Sequence, residues 1–95
     1  MSKNTIQFNK PYNFEGTDYK EVDLSGLDNL TTSDLLTVEQ QFNAAGNFAV
    51  MNELSLGFTM LVAAKASGKP IEFFHRLPAK EGFKVKNEVM GFLNA

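Results

Sequence analysis

Residues 67–78, SGKPIEFFHRLP, hold the densest set of side chains with chemical potential: a Gly-Lys pair, two adjacent phenylalanines, the sole histidine and an arginine. Three chemistries are open to such a stretch: cradling a phosphate, acid–base work by His75, or none, with the residues serving a bend between helices. A phosphate loop needs G-x-x-x-x-G-K-[ST], in which backbone amides wrap the phosphates, the lysine neutralises them and the hydroxyl holds the magnesium ion. Aligned on Gly68-Lys69, the first glycine position is Ala63 and the hydroxyl position is Pro70, so both requirements fail. His75 has no second histidine and no cysteine anywhere in the chain to share a metal with, and no positioned nucleophile or acid stands near it in the sequence. It reads as a surface or boundary histidine. Four acidic residues, Glu15, Asp18, Glu21 and Asp23, raise the question of calcium. They lack the alternating oxygen ligands, central glycine and terminal bidentate glutamate of a calcium loop, and read as the wet face of a hairpin. No catalytic residue, metal site or cofactor is therefore expected.

The elements that must position these residues are legible from periodicity. The chain has 95 residues, 43% of them hydrophobic and 12% aromatic, with nine Phe and no Trp. That is enough for one core burying roughly 60–65% of the unfolded surface, and too little for two. We expect a single domain over residues 1–95, with a hairpin part at 1–27 and a helical part at 30–95. Absence of cysteine excludes disulfides and thiolate sites and fits a reducing compartment. The amino terminus lacks an apolar targeting segment and the longest unbroken apolar run is MLVAA, so a cytoplasmic protein with no membrane span is expected. Net charge is −2, with three basic against seven acidic residues in 1–47 and six against four in 48–95. Neither part carries the dense basic stripe of a nucleic-acid binder.

Ile6 and Phe8 alternate with polar neighbours in NTIQFNK, and Val22 and Leu24 do so in YKEVDL, which predicts strands at about 4–10 and 18–24. Pro11 is expected to end the first ladder, and Gly16 to serve a long connection. In LTTSDL, Thr31 as N-cap places Asp34 at N3 and brackets the helix start with Leu30 and Leu35, the signature of a capping box with a hydrophobic staple. A helix is predicted over about 32–45, through Leu35, Val38, Phe42 and Ala45, to a stop at Gly46-Asn47. A second runs over 48–66 with Met51, Leu54, Phe58, Leu61 and Val62 on one stripe and Leu56, Met60, Ala63 and Ala64 on the other side. A helix apolar almost all round is either central in the fold or docked on another chain. Gly68 then reads as its C′ residue and Pro70 as the N1 of a short helix over 70–77, with Phe73, Phe74 and Leu77 facing inward and Glu72 spaced to pair with Arg76. The last helix, about 80–94, carries Val85, Val89, Phe92 and Leu93 inward, Lys84 spaced to pair with Glu88, and Phe83 and Met90 as a second apolar surplus. The expected fold is α+β, an N-terminal β-hairpin packed on a bundle of three to four helices.

In this order, TIQFNKPYNFEGTDYKEVDLSGL, LTTSDLLTVEQQF, an apolar helix and SGKPIEFFHRLPAKEGFKVKNEVMGFL, the chain resembles the small tail assembly chaperones of tailed bacteriophages, and most of all those of Mu-like and related prophages. The likeness spans almost the whole chain and rests on a pattern of apolar positions, a DL near the first helix and a V-x-x-FL ending, here Val89 to Leu93. It implies a non-enzymatic role in the cytoplasm of the bacterial host: binding the long, mostly helical tape measure protein, keeping it soluble, and helping tail tube protein assemble around it. It also implies that such chains are made in two lengths by ribosomal frameshifting, of which one ending at Ala95 fits the shorter. The partner-binding residues expected here are Leu56, Met60, Phe74 and Met90, a Met- and Phe-rich patch suited to an adaptable helix-in-groove contact. Two other readings stay open. The same residues could complete the core or a homo-oligomer interface, and the chain could be a permanent structural subunit of a tail or similar assembly.

Overall fold

A computed structural model of the chain describes residues 5–44 and 56–93. Two antiparallel strands, β1 (Thr5–Phe14) and β2 (Thr17–Asp23), lead through a 3-10 turn at Ser25–Asn29 into four helices, α1 (Thr32–Ala44), α2 (Leu56–Ser67), α3 (Ile71–His75) and α4 (Ala79–Leu93). The architecture is α+β with the hairpin packed on helices. The expected stop at Gly46-Asn47, the stripe positions Met51 and Leu54, and Ala45 lie outside the described residues.

The hairpin is longer and tighter than its alternation suggests. Phe14 pairs with Thr17, so only Glu15 and Gly16 form the turn, at φ 49° and 84°. Both central residues having positive φ makes the twist of the turn match that of the strands, and the connection is short where a long one was expected. Pro11 does not end β1. Between the pairs Gln7–Glu21 and Tyr12–Tyr19 the chain advances five steps on β1 and two on β2, so Pro11 lies in a bulge with no ladder partner and its missing N–H breaks no bond. The bulge also keeps Ile6, Phe8, Tyr12 and Phe14 on one side, buried or half-buried against the helices.

Phe73 of α3 is the plug that joins this face to the bundle. Its ring is 1% exposed and meets Tyr12, Phe14 and Tyr19 edge-on at 5.2, 5.4 and 5.0 Å, while the Tyr12 hydroxyl donates to the Phe73 carbonyl at 2.8 Å. Edge-to-face rings bury large area with favourable quadrupole contacts, and the hydroxyl finds the partner a buried phenol requires.

The capping box forms as its spacing predicts. The Asp34 amide donates to the Thr31 hydroxyl at 3.2 Å, the Thr31 amide donates to the Asp34 carboxylate at 3.0 Å, and Leu30 and Leu35 pack half-buried against the core. α2 is the central helix. Phe58, Thr59, Met60, Val62 and Ala63 are all buried because α1, α3, α4 and the 3-10 turn surround it. Gly26 of that turn lies so close to α2 that a Cβ would sit 2.1 Å from the Ala66 carbonyl oxygen. α2 ends at Gly68, φ 74°, whose amide donates to the Ala64 carbonyl at 3.0 Å, the left-handed C′ stop read from the sequence. Pro70 is the N-cap of α3 and not its first helical residue, with its carbonyl accepting from the Phe73 amide. Phe73, Phe74 and Leu77 point inward, as do Val85 and Val89 of α4, whereas Phe92 and Leu93 are half-buried.

Candidate functional site

The two ion pairs anticipated from i, i+4 spacing do not form, and both cations take other contacts. Arg76 places its guanidinium 5.6 Å from the Phe14 ring centroid instead of bridging to Glu72. Lys84 turns from Glu88 to Glu81, 3.0 Å away, and donates to the Gln7 carbonyl and the Asn9 side-chain oxygen at 2.9 Å each. Glu81 is 5% exposed and accepts from the Asn9 amide at 2.7 Å, so the first turns of α4 grip the bulge of β1. Its other oxygen meets Lys84 as an ion contact and not as an aligned hydrogen bond. Burial pushes the Glu81 carboxyl up, but the Asn9 amide and the Lys84 ammonium together outweigh it and hold the group below its ordinary value. This network serves the fold: both carboxylate oxygens are occupied by the protein itself.

Beside that network lies an open depression of about 570 Å³ between the bulge and the start of α4, bordered by Lys10, Pro11, Tyr12, Pro78 and Lys80. A second, of about 310 Å³, lies between Gln41, Leu61, Lys65 and Ile71. Among the described residues, no group of three or more His, Asp and Glu side chains is arranged to hold a metal ion. His75 is exposed.

A third depression, of about 260 Å³, is the most apolar in its lining of these three, and three of the four sequence-predicted partner residues, Leu56, Met60 and Phe74, line it. Met60 of α2, Phe74 of α3 and Leu77 form its floor, Leu56 of α2 and Phe83 of α4 form its two walls, and His75 stands at its mouth. Leu56 is 44% and Phe83 52% exposed, whereas Met60 and Phe74 are 3% and 2% exposed. Of the four residues expected to form a free patch, then, only Leu56 offers much surface. Met60 and Phe74 are core residues, on helices α2 and α3 that pack against each other, and they shape the groove from beneath. Met90 is half-buried on α4 and does not line it. Phe83, the most exposed wall, was marked in the sequence only as surplus; its place seven residues before Met90 on the side of α4 away from Val85 and Val89 was the available signal.

Gly57 of α2 and Ala79 and Gly82 of α4 complete the lining. A Cβ built on Gly82 would meet nothing within 4 Å, so the slot runs down to the bare backbone of α4. The result is a narrow, greasy slot between two helices, able to receive one or two large apolar side chains and offering no nucleophile, carboxylate pair or oxyanion donor set.

In comparisons with protein-family models, with curated proteins and with solved structures, nothing matches this chain. Among the described residues, no helix is long and apolar enough to cross a membrane.

Proposed function

We propose that this chain is a non-enzymatic tail assembly chaperone of a tailed bacteriophage, working in the cytoplasm of the bacterial host and binding the tape measure protein through the groove between α2, α3 and α4. The observation that carries the reading is the exposure of Leu56 and Phe83 as facing walls over a floor of buried Met60 and Phe74. A folded chain that already buries sixteen apolar side chains among its described residues has no need of two large ones left in water along one groove. Such walls fit a partner that comes and goes. The sequence resemblance supplies the partner: a long helical protein whose apolar faces are bare until tail tube protein closes around it. A flexible methionine under the slot lets the floor adapt to successive side chains along that helix.

Co-expression tests this directly. The wild-type chain should raise the soluble yield of the tape measure protein severalfold, and Phe83→Asp, which puts a charge on an exposed wall and leaves the core alone, should cancel most of that gain while the variant itself stays folded by circular dichroism. Equal precipitation with and without the wild-type chain would overturn the proposal. Recovery of the chain at fixed stoichiometry in purified virions would instead assign it as a permanent tail component.

A further inference from the structure

We infer that the groove selects an amphipathic helix whose apolar stripe is flanked by Asp or Glu, an inference that rests on the groove being a partner site. Helical form follows from the walls. Both are helical and neither is a strand, so the slot offers no sheet edge, and an extended peptide would find no ladder for its own amides and carbonyls there. A helix satisfies its own backbone and presents side chains at i and i+4 roughly 6 Å apart, a spacing a short slot can take. Gly82 strengthens the argument, because it weakens α4 as a helix residue yet has open space where a Cβ would stand. That bare spot lets a second helix approach closely.

The acidic flank follows from charge. None of the residues lining the groove is a carboxylate, and His75 stands at the mouth. Lys86 lies three residues beyond Phe83 and four beyond Gly82, on the same face of α4 and one turn further along. Lys65 and Lys84 each find a carboxylate within the chain, at 3.9 and 3.0 Å, but Lys86 pairs with none among the described residues. A docked helix with carboxylates beside its apolar stripe would neutralise it, and one with lysines there would be repelled.

Three synthetic helical peptides of about 18 residues, sharing one Leu/Met stripe and flanked by Glu, Gln or Lys, provide the probe, each labelled with an uncharged dye and titrated with the full chain by fluorescence anisotropy. At low salt the Glu-flanked peptide should bind about fivefold more tightly than the Lys-flanked one, with the Gln peptide between them and the gap closing at high salt. Lys86→Glu should invert the order, and Gly82→Leu, which fills the slot at an open position, should weaken all three. Equal binding of the three, or an order that Lys86→Glu leaves unchanged, overturns the acidic-flank inference while the groove still binds helices. Failure of every peptide to bind removes the groove reading with it. A dimer seen by light scattering that Gly82→Leu dissolves and no peptide displaces makes the occupant a second copy and likewise overturns the inference.

Discussion

Glu81 shows how one side chain can set both geometry and pH response. Its carboxylate accepts the Asn9 amide at 2.7 Å and faces Lys84 at 3.0 Å, and the group titrates below its ordinary value. A carboxyl whose folded pKa lies below its unfolded value, about 4.3, contributes stability that is fully present above that unfolded value and is lost as pH falls through the folded one. Urea denaturation should therefore show the wild type weakening as pH drops below about 4.3. Glu81→Gln should be less stable at neutral pH by about 1–2 kcal/mol, for the weakened charge-assisted bonds, and should show a flatter acid limb. An equal acid slope in both proteins would remove Glu81 as the source. Gly26 matters for a different reason. A methyl group there meets the Ala66 carbonyl oxygen, a backbone atom that cannot rotate away, so Gly26→Ala should cost about 3 kcal/mol in the same measurement. Neither residue stands out in the sequence, since Asn9 for Glu81 and Ala66 for Gly26 are brought to them by the fold from distant stretches of chain.

At the level of elements, signals confined to one turn of chain are the ones the sequence states clearly. Thr31 and Asp34 are three residues apart, and their reciprocal bonds need nothing but the start of a helix. Thr31→Ala should lower stability by about 1 kcal/mol, and its effect should shrink in an Asp34→Asn background, because the two caps support each other. Thermal melts of the four proteins in that cycle give the coupling; simple additivity would mean that the box does not act as a unit. Gly68 at the end of α2 is legible for the same local reason. β1 is the opposite case. Its continuation past Pro11 depends on a bulge whose amide is captured by Glu81, 72 residues away, and a reader of the strand alone has no means of knowing that the proline's missing donor falls where no ladder bond is needed.

Taken as a whole, the molecule is held together across its two parts by Phe73 on one side and the Glu81–Lys84 grip on the other. Truncating the ring at the centre of four other aromatic side chains, Phe73→Ala, should cost about 4 kcal/mol and free the hairpin first. Hydrogen exchange would show this as lost protection in β1 and β2 ahead of α2; simultaneous loss everywhere would mean that the hairpin and helices open as one unit.

The order of strands and helices, the inward faces of α1, α3 and α4, the cap of α1 and the stop of α2 were determined by the sequence alone, because each arises from spacing along a few turns of chain; the inward face of α2 was not, since Met60 and Ala63, read on its other side, are buried. The same periodicity marked α2 and α4 as richer in apolar residues than one face requires. It could not say which of those residues remain in water, since Met60 and Leu56 are one turn apart on the same side of α2 and yet are 3% and 44% exposed. Burial is a property of neighbours distant in sequence, and only the tertiary structure decided that Phe74 is floor, Phe83 is wall and Lys86 finds no carboxylate among the described residues.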